Sequence, residues 1–181
     1  AVENDPEVKC YLPGIPRANY MDKPFQIFHS DKAVFFAYEY AGAVRNVFLQ
    51  DPGEAPVDSW MGQSYGKWDG DTFVMETINI NPLQAQNQSF PLSPKAVVTE
   101  RLTRTGDKDI FYEFAVNDPE TYTQPWKAEL SFYPATRVYE YACHEGNQGM
   151  IGILAGAREL EREAALNAKP ATPVKASKRT R

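Results

Sequence analysis

Histidine and cysteine, which most often hold metals or act as nucleophiles, are scarce in this sequence. It contains two histidines, His29 and His144, and two cysteines, Cys10 and Cys143. A metal site needs three or four converging ligands. The candidate ligands are His29, Asp118, His144 and Glu145, and nothing in their spacing along the sequence indicates a metal site. Cys143 and His144 are adjacent, so on a strand they point to opposite faces and cannot pair as nucleophile and base. We expect no catalytic residue, no metal and no cofactor.

Several sequence features of enzymes and membrane proteins are also missing. There is no Gly-x-Ser-x-Gly elbow, no phosphate-binding loop and no dinucleotide fingerprint. No apolar run approaches the ~20 residues needed to span a bilayer. Five glutamates lie on predicted strands: Glu39, Glu76, Glu100, Glu113 and Glu140. Two of them could act as the paired carboxylates of a glycosidase-type mechanism only if they were buried close together. The alternating sequence pattern favours the solvent side of the strands for all five.

Basic residues are unevenly distributed. Five of the 19 lie from Lys169 onward, which leaves 14 basic against 24 acidic residues in positions 1–168. An acidic body does not suit nucleic-acid binding, so no nucleic-acid partner is expected. The basic tail suits contact with an acidic partner or anionic lipid, although an isolated basic tail is more often simply solvated.

The chain is well supplied with residues for a folded core. It has 181 residues, 43% hydrophobic and 13% aromatic, enough for one domain. Short stretches of β-branched and aromatic residues separated by turn signals predict an antiparallel meander closed into a lipocalin-like barrel or half-barrel; a β-sandwich is the alternative. We divide the chain into a Pro-rich extended arm (1–24), a barrel (25–148), an amphipathic helix (149–168) and a basic tail (169–181).

One hairpin anchors this prediction. Residues 63–68 and 72–78 carry aromatic and β-branched side chains at strand spacing, and Asp69-Gly70 suits the tight turn between them. Two glycines, Gly62 and Gly66, interrupt the first arm. Glycine within a strand marks a bend or a close backbone approach, or a strand opened for a ligand; a curved sheet needs such bends in any case.

The hairpin sequence begins Trp60-Met-Gly-Gln-Ser-Tyr-Gly-Lys-Trp-Asp-Gly-Asp-Thr72. It resembles the signature W-M-G-H-S-x-G-x-W-E-G-D-T-L-V-V-x-T, which belongs to a widespread family of bacterial exported proteins of unknown function. Further stretches resemble the same family, in the same order: 5–17, 99–104, 118–126 and 141–147. The resemblance covers most of residues 5–158. It implies an exported protein and a fold, but no activity.

Two positions depart from the family pattern. This chain has Gln63 where the signature has histidine, and it reads Gly53-Glu-Ala-Pro56 where the family tends to carry Arg-x-His-Pro. If those histidines serve a site in relatives, that site is altered or lost here.

The resemblance also bears on the cysteines and on location. Both cysteines lie in stretches that resemble the family, and in an exported protein they are expected to pair; two buried free thiols are the alternative. The chain begins at Ala1, which fits a processed mature form as well as a trimmed chain. We expect a bacterial periplasmic or extracellular protein whose signal peptide has been removed.

Two functions remain open from the sequence. The first is a non-catalytic accessory or structural subunit that docks on a larger, membrane-associated assembly, with protein partners. The second is a small-molecule binder, or an enzyme of the hydrolase or isomerase type, that uses the barrel interior; Arg45, Arg101 or Glu113 would line its cavity. Aromatic and polar residues near strand ends are the candidate ligand contacts: Tyr40, Arg45, Trp60, Gln63, Trp68, Arg101, Glu113, Trp126 and His144.

Overall fold

A computed structural model describes residues 5–81, 83, 90–143 and 149–167. The chain divides into two units, Ala1–Glu145 and Gly146–Arg181. The first unit holds a one-turn helix and eight strands, whose bounds are α1 Arg17–Tyr20, β1 Phe25–His29, β2 Ala33–Tyr38, β3 Val44–Phe48, β4 Gln63–Asp69, β5 Thr72–Ile78, β6 Val97–Arg104, β7 Ile110–Asn117 and β8 Trp126–Phe132. The described part of the second unit is one helix, α2, Gly149–Asn167.

The eight strands form one sheet in chain order, curled into a half-barrel. The prediction of a half-barrel is confirmed, and a single sheet replaces the β-sandwich alternative. All neighbours are antiparallel except β3 and β4, which run parallel over two residue pairs, Val47 with Ser64 and Phe48 with Tyr65. A parallel pair needs a crossover connection, and residues 49–62 provide it; the sheet is therefore mixed rather than purely antiparallel.

Alternation along the strands separates an inner from an outer face. On β5, Phe73, Met75 and Thr77 are buried, while Glu76 and Ile78 are exposed. The same period of two runs through β2, β3, β6 and β7, because successive side chains of a strand point to opposite faces. The inner face carries the core, whose buried apolar members on the strands include Phe36, Tyr38, Val47, Phe73, Met75, Val98, Tyr112, Phe114 and Val116.

The two glycines of the predicted hairpin are explained by close packing. A Cβ on Gly66 would lie 2.5 Å from Phe73 Cζ and 2.7 Å from Val47 Cγ1. A Cβ on Gly62, whose φ is +68°, would lie 2.5 Å from Thr77 Cγ2. At both positions the lack of a side chain lets neighbouring side chains pack directly against the backbone. The glycines therefore mark close backbone approach rather than a strand opened for a ligand.

Two sequence predictions in this unit are wrong. The sequence predicts a last hairpin with residues 137–144 as its second strand, but residues 133–143 have no strand pairing and His144 lies outside the described residues. The prolines of the N-terminal arm predict an extended arm without helix, yet Arg17–Tyr20 forms one turn directly after Pro16. Proline is compatible with the start of a helix, since the N–H that it lacks would be unpaired there.

The C-terminal helix is confirmed, and it ends before Pro170 as expected. Most of its described side chains are exposed, and these include the apolar Ile153, Leu154, Leu160 and Leu166. Among the described residues, no helix is both long enough and apolar enough to cross a membrane.

Candidate functional site

The interior of the half-barrel contains a buried ion pair between Arg45 on β3 and Glu100 on β6. Arg45 is 2% exposed and Glu100 is 0% exposed. Arg45 Nη1 donates to Glu100 Oε1 at 3.2 Å and Nη2 donates to Oε2, so the contact is bidentate. Two hydroxyls on the neighbouring strands accept two further guanidinium hydrogens: Ser64 Oγ at 2.9 Å from Nε, and Thr77 Oγ1 at 2.7 Å from Nη2.

A second set of hydrogen bonds connects this pair to the N-terminal arm. Asn19 on α1 donates from Nδ2 to Glu100 Oε1 at 2.6 Å. Tyr38 Oη donates to Asn19 Oδ1 at 2.7 Å, and Tyr112 Oη donates to Glu100 Oε1 at 2.7 Å. We call these seven residues the buried polar cluster: Asn19, Tyr38, Arg45, Ser64, Thr77, Glu100 and Tyr112.

The electrostatics of the cluster keep Arg45 charged and its two tyrosines neutral. Burial by itself lowers the pKa of Arg45, but the charge and hydrogen bond of Glu100 together with Tyr38 and Tyr112 outweigh burial, and the net pKa is raised. Burial raises the pKa of Tyr38 and of Tyr112, and the nearby Glu100 charge raises both further. The guanidinium is therefore charged and both phenols are neutral over the physiological range. Neither phenol is available as a base or nucleophile.

The N-terminal arm occupies the space that a ligand of the interior would need. Ile15, Ala18 and Asn19 are 1–3% exposed within the core. One further contact attaches the arm, since Trp60 Nε1 donates to Leu12 O at 2.6 Å. Within the arm, Arg17 pairs with Asp5 at 2.7 Å and with Glu7 at 2.6 Å. The expected disulfide is present, with Cys10 and Cys143 Cα atoms 5.7 Å apart. The arm is thus an intramolecular occupant of the half-barrel.

The candidate ligand residues named from the sequence do not meet in one place. Arg45 lies inside, whereas Arg101 and Glu113 pair across β6 and β7 on the outer face, where they contact Asp69 at 3.1 Å and Lys127 at 3.9 Å. A cavity lined by all three is therefore excluded, because the sheet lies between them. Of the five glutamates considered as paired carboxylates, only Glu100 is buried.

The remaining candidates have separate structural contacts. Tyr40 packs on Tyr141 with ring centroids 4.6 Å apart, and Trp126 contacts Phe114 at 5.7 Å. Trp68 is 57% exposed at the hairpin tip. Gln63, which stands where the family signature has histidine, donates to Gly53 O at 2.7 Å beside a cleft of about 320 Å³ where β3 and β4 diverge. His144 lies outside the described residues.

A larger cavity lies between the two edges of the half-barrel. β1 and β8 each pair with one neighbour only, and the groove between them, which we call the seam, has a volume of about 590 Å³. Its apolar lining comes from both edges and from β7: Phe25, Ile27, Ile110, Leu130 and Phe132. At one end Phe25 and Phe132 contact edge to face, with centroids 5.2 Å apart.

The outer face of β1–β5 exposes a patch of large apolar side chains, which we call the outer apolar patch. Phe28, Val44, Phe48, Tyr65 and Ile78 are 37–52% exposed. The strand register makes Phe48 and Tyr65 direct neighbours and places Phe28 beside Phe35; Val44 and Ile78 lie on the same face with polar residues between them and the others. Large apolar side chains exposed together on one face of a sheet are typical of interaction sites.

Sequence reasoning missed Asn19 and the outer apolar patch. It favoured the solvent side for Glu100, which is wrong because Glu100 is buried, and nothing around Asn19 distinguishes it from other turn residues. No protein-family model, curated protein or solved structure matches this chain. The functional argument therefore depends on the geometry alone.

Proposed function

We propose that this protein is a non-catalytic, exported accessory subunit that docks on a larger protein assembly through the outer apolar patch. The observation that carries the proposal is the patch itself, five exposed apolar side chains on one sheet face. The core of a protein interface is built mainly from large apolar and aromatic side chains of this kind.

The state of the interior supports the same proposal. Every polar group of the buried polar cluster has a partner within the chain, and the arm that completes the cluster is fixed by a disulfide. An enzyme site needs reactive groups that substrate can reach, and none of these groups is accessible. The second unit carries an apolar surface of its own, since α2 exposes Ile153 and Leu160 seven residues apart on one helix face.

The test is affinity capture from native periplasm and membranes, with Phe48→Asp compared with the wild-type protein. A charge at the centre of the patch should abolish capture of the partner. Ser131→Asp is the matched control, because it places the same charge on the outer face of β8, and it should capture as the wild type does. Deletion of residues 149–181 from the wild-type protein should weaken capture. Equal capture by Phe48→Asp, or a wild-type protein that captures nothing, would contradict the proposal.

A small-molecule binder is the second candidate function, supported by the seam. Its volume of about 590 Å³ lies within the range of ligand pockets, and its lining is mainly apolar. An apolar fluorescent probe such as anilinonaphthalene sulfonate should bind with one site per chain. Leu130→Trp should fill the groove and abolish binding, and Val57→Trp, on an exposed loop, should leave it unchanged. Probe binding that ignores Leu130→Trp would remove the seam from consideration.

A further inference from the structure

One wall of the seam is a row of side chains that crosses three strands. Arg104 on β6 lies directly opposite Ile110 on β7, and Ile110 lies opposite Phe132 on β8. Side chains at directly opposite positions share one face of the sheet, with Cβ atoms about 4.5–5.5 Å apart. All three residues line the seam, and Phe132 contacts Phe25 of β1 across it. The row therefore begins with a cation and continues as an apolar surface to the far edge.

The guanidinium of Arg104 is held in position without a counter-charge. Its Nε donates to Gly106 O at 3.0 Å and its Nη2 donates to Asp107 O at 3.1 Å. These two bonds leave further N–H donors of the guanidinium unused, and among the residues that the structure describes no carboxylate pairs with Arg104. Arg101, on the outer face of the same strand, differs because it pairs with Asp69 at 3.1 Å. Arg104 is thus an exposed, oriented cation with donors available to a ligand.

The other charged residues of the seam lie outside the strands. The charged lining is equally divided between the two signs: Lys23, Arg104, Lys108, Asp22, Asp107 and Asp109. Lys23 and Asp22 precede β1 and pair with each other at 3.8 Å, and residues 107–109 belong to the turn between β6 and β7. Arg104 is the member of this set that lies in a strand, beside the apolar Ile110. The charge next to the apolar row within the sheet is therefore positive.

We propose that the seam binds an alkyl carboxylic acid of medium chain length, with its carboxylate on Arg104 and its chain along Ile110 and Leu130 towards Ile27. A guanidinium donates two parallel hydrogen bonds to a carboxylate, which gives both strength and orientation. The alkyl chain is removed from water by the apolar lining of both edges. The proposal rests on the seam as the groove of the second candidate function, and it adds the class of ligand and its orientation. Docking through the outer apolar patch is not involved.

The first test compares three ligands that share one alkyl chain and differ in the charge of the head group. Isothermal titration calorimetry of the purified full chain at neutral pH measures the binding of decanoate, decan-1-ol and decylammonium. Decanoate should bind with one molecule per chain and about ten-fold more tightly than decan-1-ol, because it gains charge-assisted hydrogen bonds. Decylammonium should bind less tightly than decan-1-ol. Each methylene removed from decanoate should weaken binding about four-fold.

The second test uses substitutions at the two ends of the groove. Arg104→Gln should weaken decanoate binding about ten-fold and leave decan-1-ol binding unchanged, which also verifies that the groove is intact. Arg101→Gln, on the outer face of the same strand, is the matched control and should change neither. Ile27 is 40% exposed on the seam, so Ile27→Asp should be tolerated by the fold and should weaken decanoate more than decan-1-ol. Gln26→Asp, on the outer face of β1, should have no effect.

The outcomes separate this proposal from the second candidate function. Equal affinity for the three ligands, tighter binding of decylammonium than of decanoate, or unchanged decanoate binding by Arg104→Gln would each overturn the proposal. The seam would then remain an unselective apolar groove, and the second candidate function would stand. If none of the three ligands binds, or if Leu130→Trp leaves decanoate binding unchanged, both are wrong. A preference for decanoate that Arg104→Gln removes and Arg101→Gln keeps supports both.

Discussion

Asn19 donates a hydrogen bond to Glu100 at 2.6 Å, and these two residues stand 81 positions apart in the sequence. The bond joins a proline-flanked arm to the centre of a β-sheet. Through Asn19 the arm completes the hydrogen bonding of the buried ion pair, so the arm is part of the core rather than an appendage. The interior is therefore a structural polar core, and recognition is left to the outside of the molecule.

Loss of the Asn19 amide should destabilise the fold. Asn19→Ala leaves Tyr38 Oη without its acceptor and removes one donor from Glu100. We expect a decrease of about 1–3 kcal/mol in the free energy of unfolding, the cost of unsatisfied buried polar groups. Urea unfolding measures it, with Asn46→Ala on the exposed outer face as the control. If the two variants had equal stability, the arm would not be bonded as described.

Removal of one partner of the buried pair should be more damaging than removal of both. Glu100→Gln leaves the Arg45 guanidinium buried without a counter-charge and should cost about 3–5 kcal/mol. The double variant Arg45→Met/Glu100→Met should lose less, because no uncompensated charge remains. The exposed pair gives the comparison: Arg101→Gln, which breaks a contact with Asp69, should cost less than about 1 kcal/mol. An additive double variant would show that Arg45 and Glu100 are not coupled.

Removal of the disulfide should loosen the arm selectively. Cys10 and Cys143 are separated by 133 positions, and closing a loop of this length stabilises by about 5 kcal/mol in the chain-entropy model. Cys10→Ser/Cys143→Ser should lower the melting temperature. It should also accelerate amide exchange at Ala18 and Asn19 more than at Val98 in β6. Uniform acceleration across both regions would mean that the arm and the sheet open together.

Acid should weaken the turn at Asp118. This carboxylate accepts from Ser93 N at 2.7 Å, Ser93 Oγ at 2.6 Å and the Glu120 and Thr121 amides. Burial raises its pKa, but these hydrogen bonds outweigh burial, and the net pKa is below the usual 3.8.

A depressed carboxyl pKa stabilises the fold at pH values above the unfolded pKa, and the stabilisation is lost as the pH falls through the folded pKa. Asp118→Asn should therefore lower stability at pH 7, and the difference from the wild type should shrink below about pH 4. Unfolding curves at pH 7, 5 and 3 test this; a difference that is constant over all three would contradict it.

The sequence by itself determined the local elements. Strand-like spacing placed β5 at its observed bounds, and helical spacing placed α2 within a residue of its ends, because burial of one face imposes these periods on the chain. The pairing of the two cysteines also followed, from a family resemblance and the expectation that exported proteins oxidise their cysteines. Each of these predictions depends on residues a few positions apart in the sequence, or on the residue type alone.

Only the tertiary structure decided which face became the interior, which strands run parallel and what fills the half-barrel. Glu100 reads like any strand glutamate, and its burial depends on Arg45 and Asn19, 55 and 81 positions away. The outer apolar patch likewise forms from residues of separate strands that the β3–β4 crossover brings together. Such long-range contacts leave no periodic trace in the sequence, because each side chain is selected by partners that only the folded chain brings close.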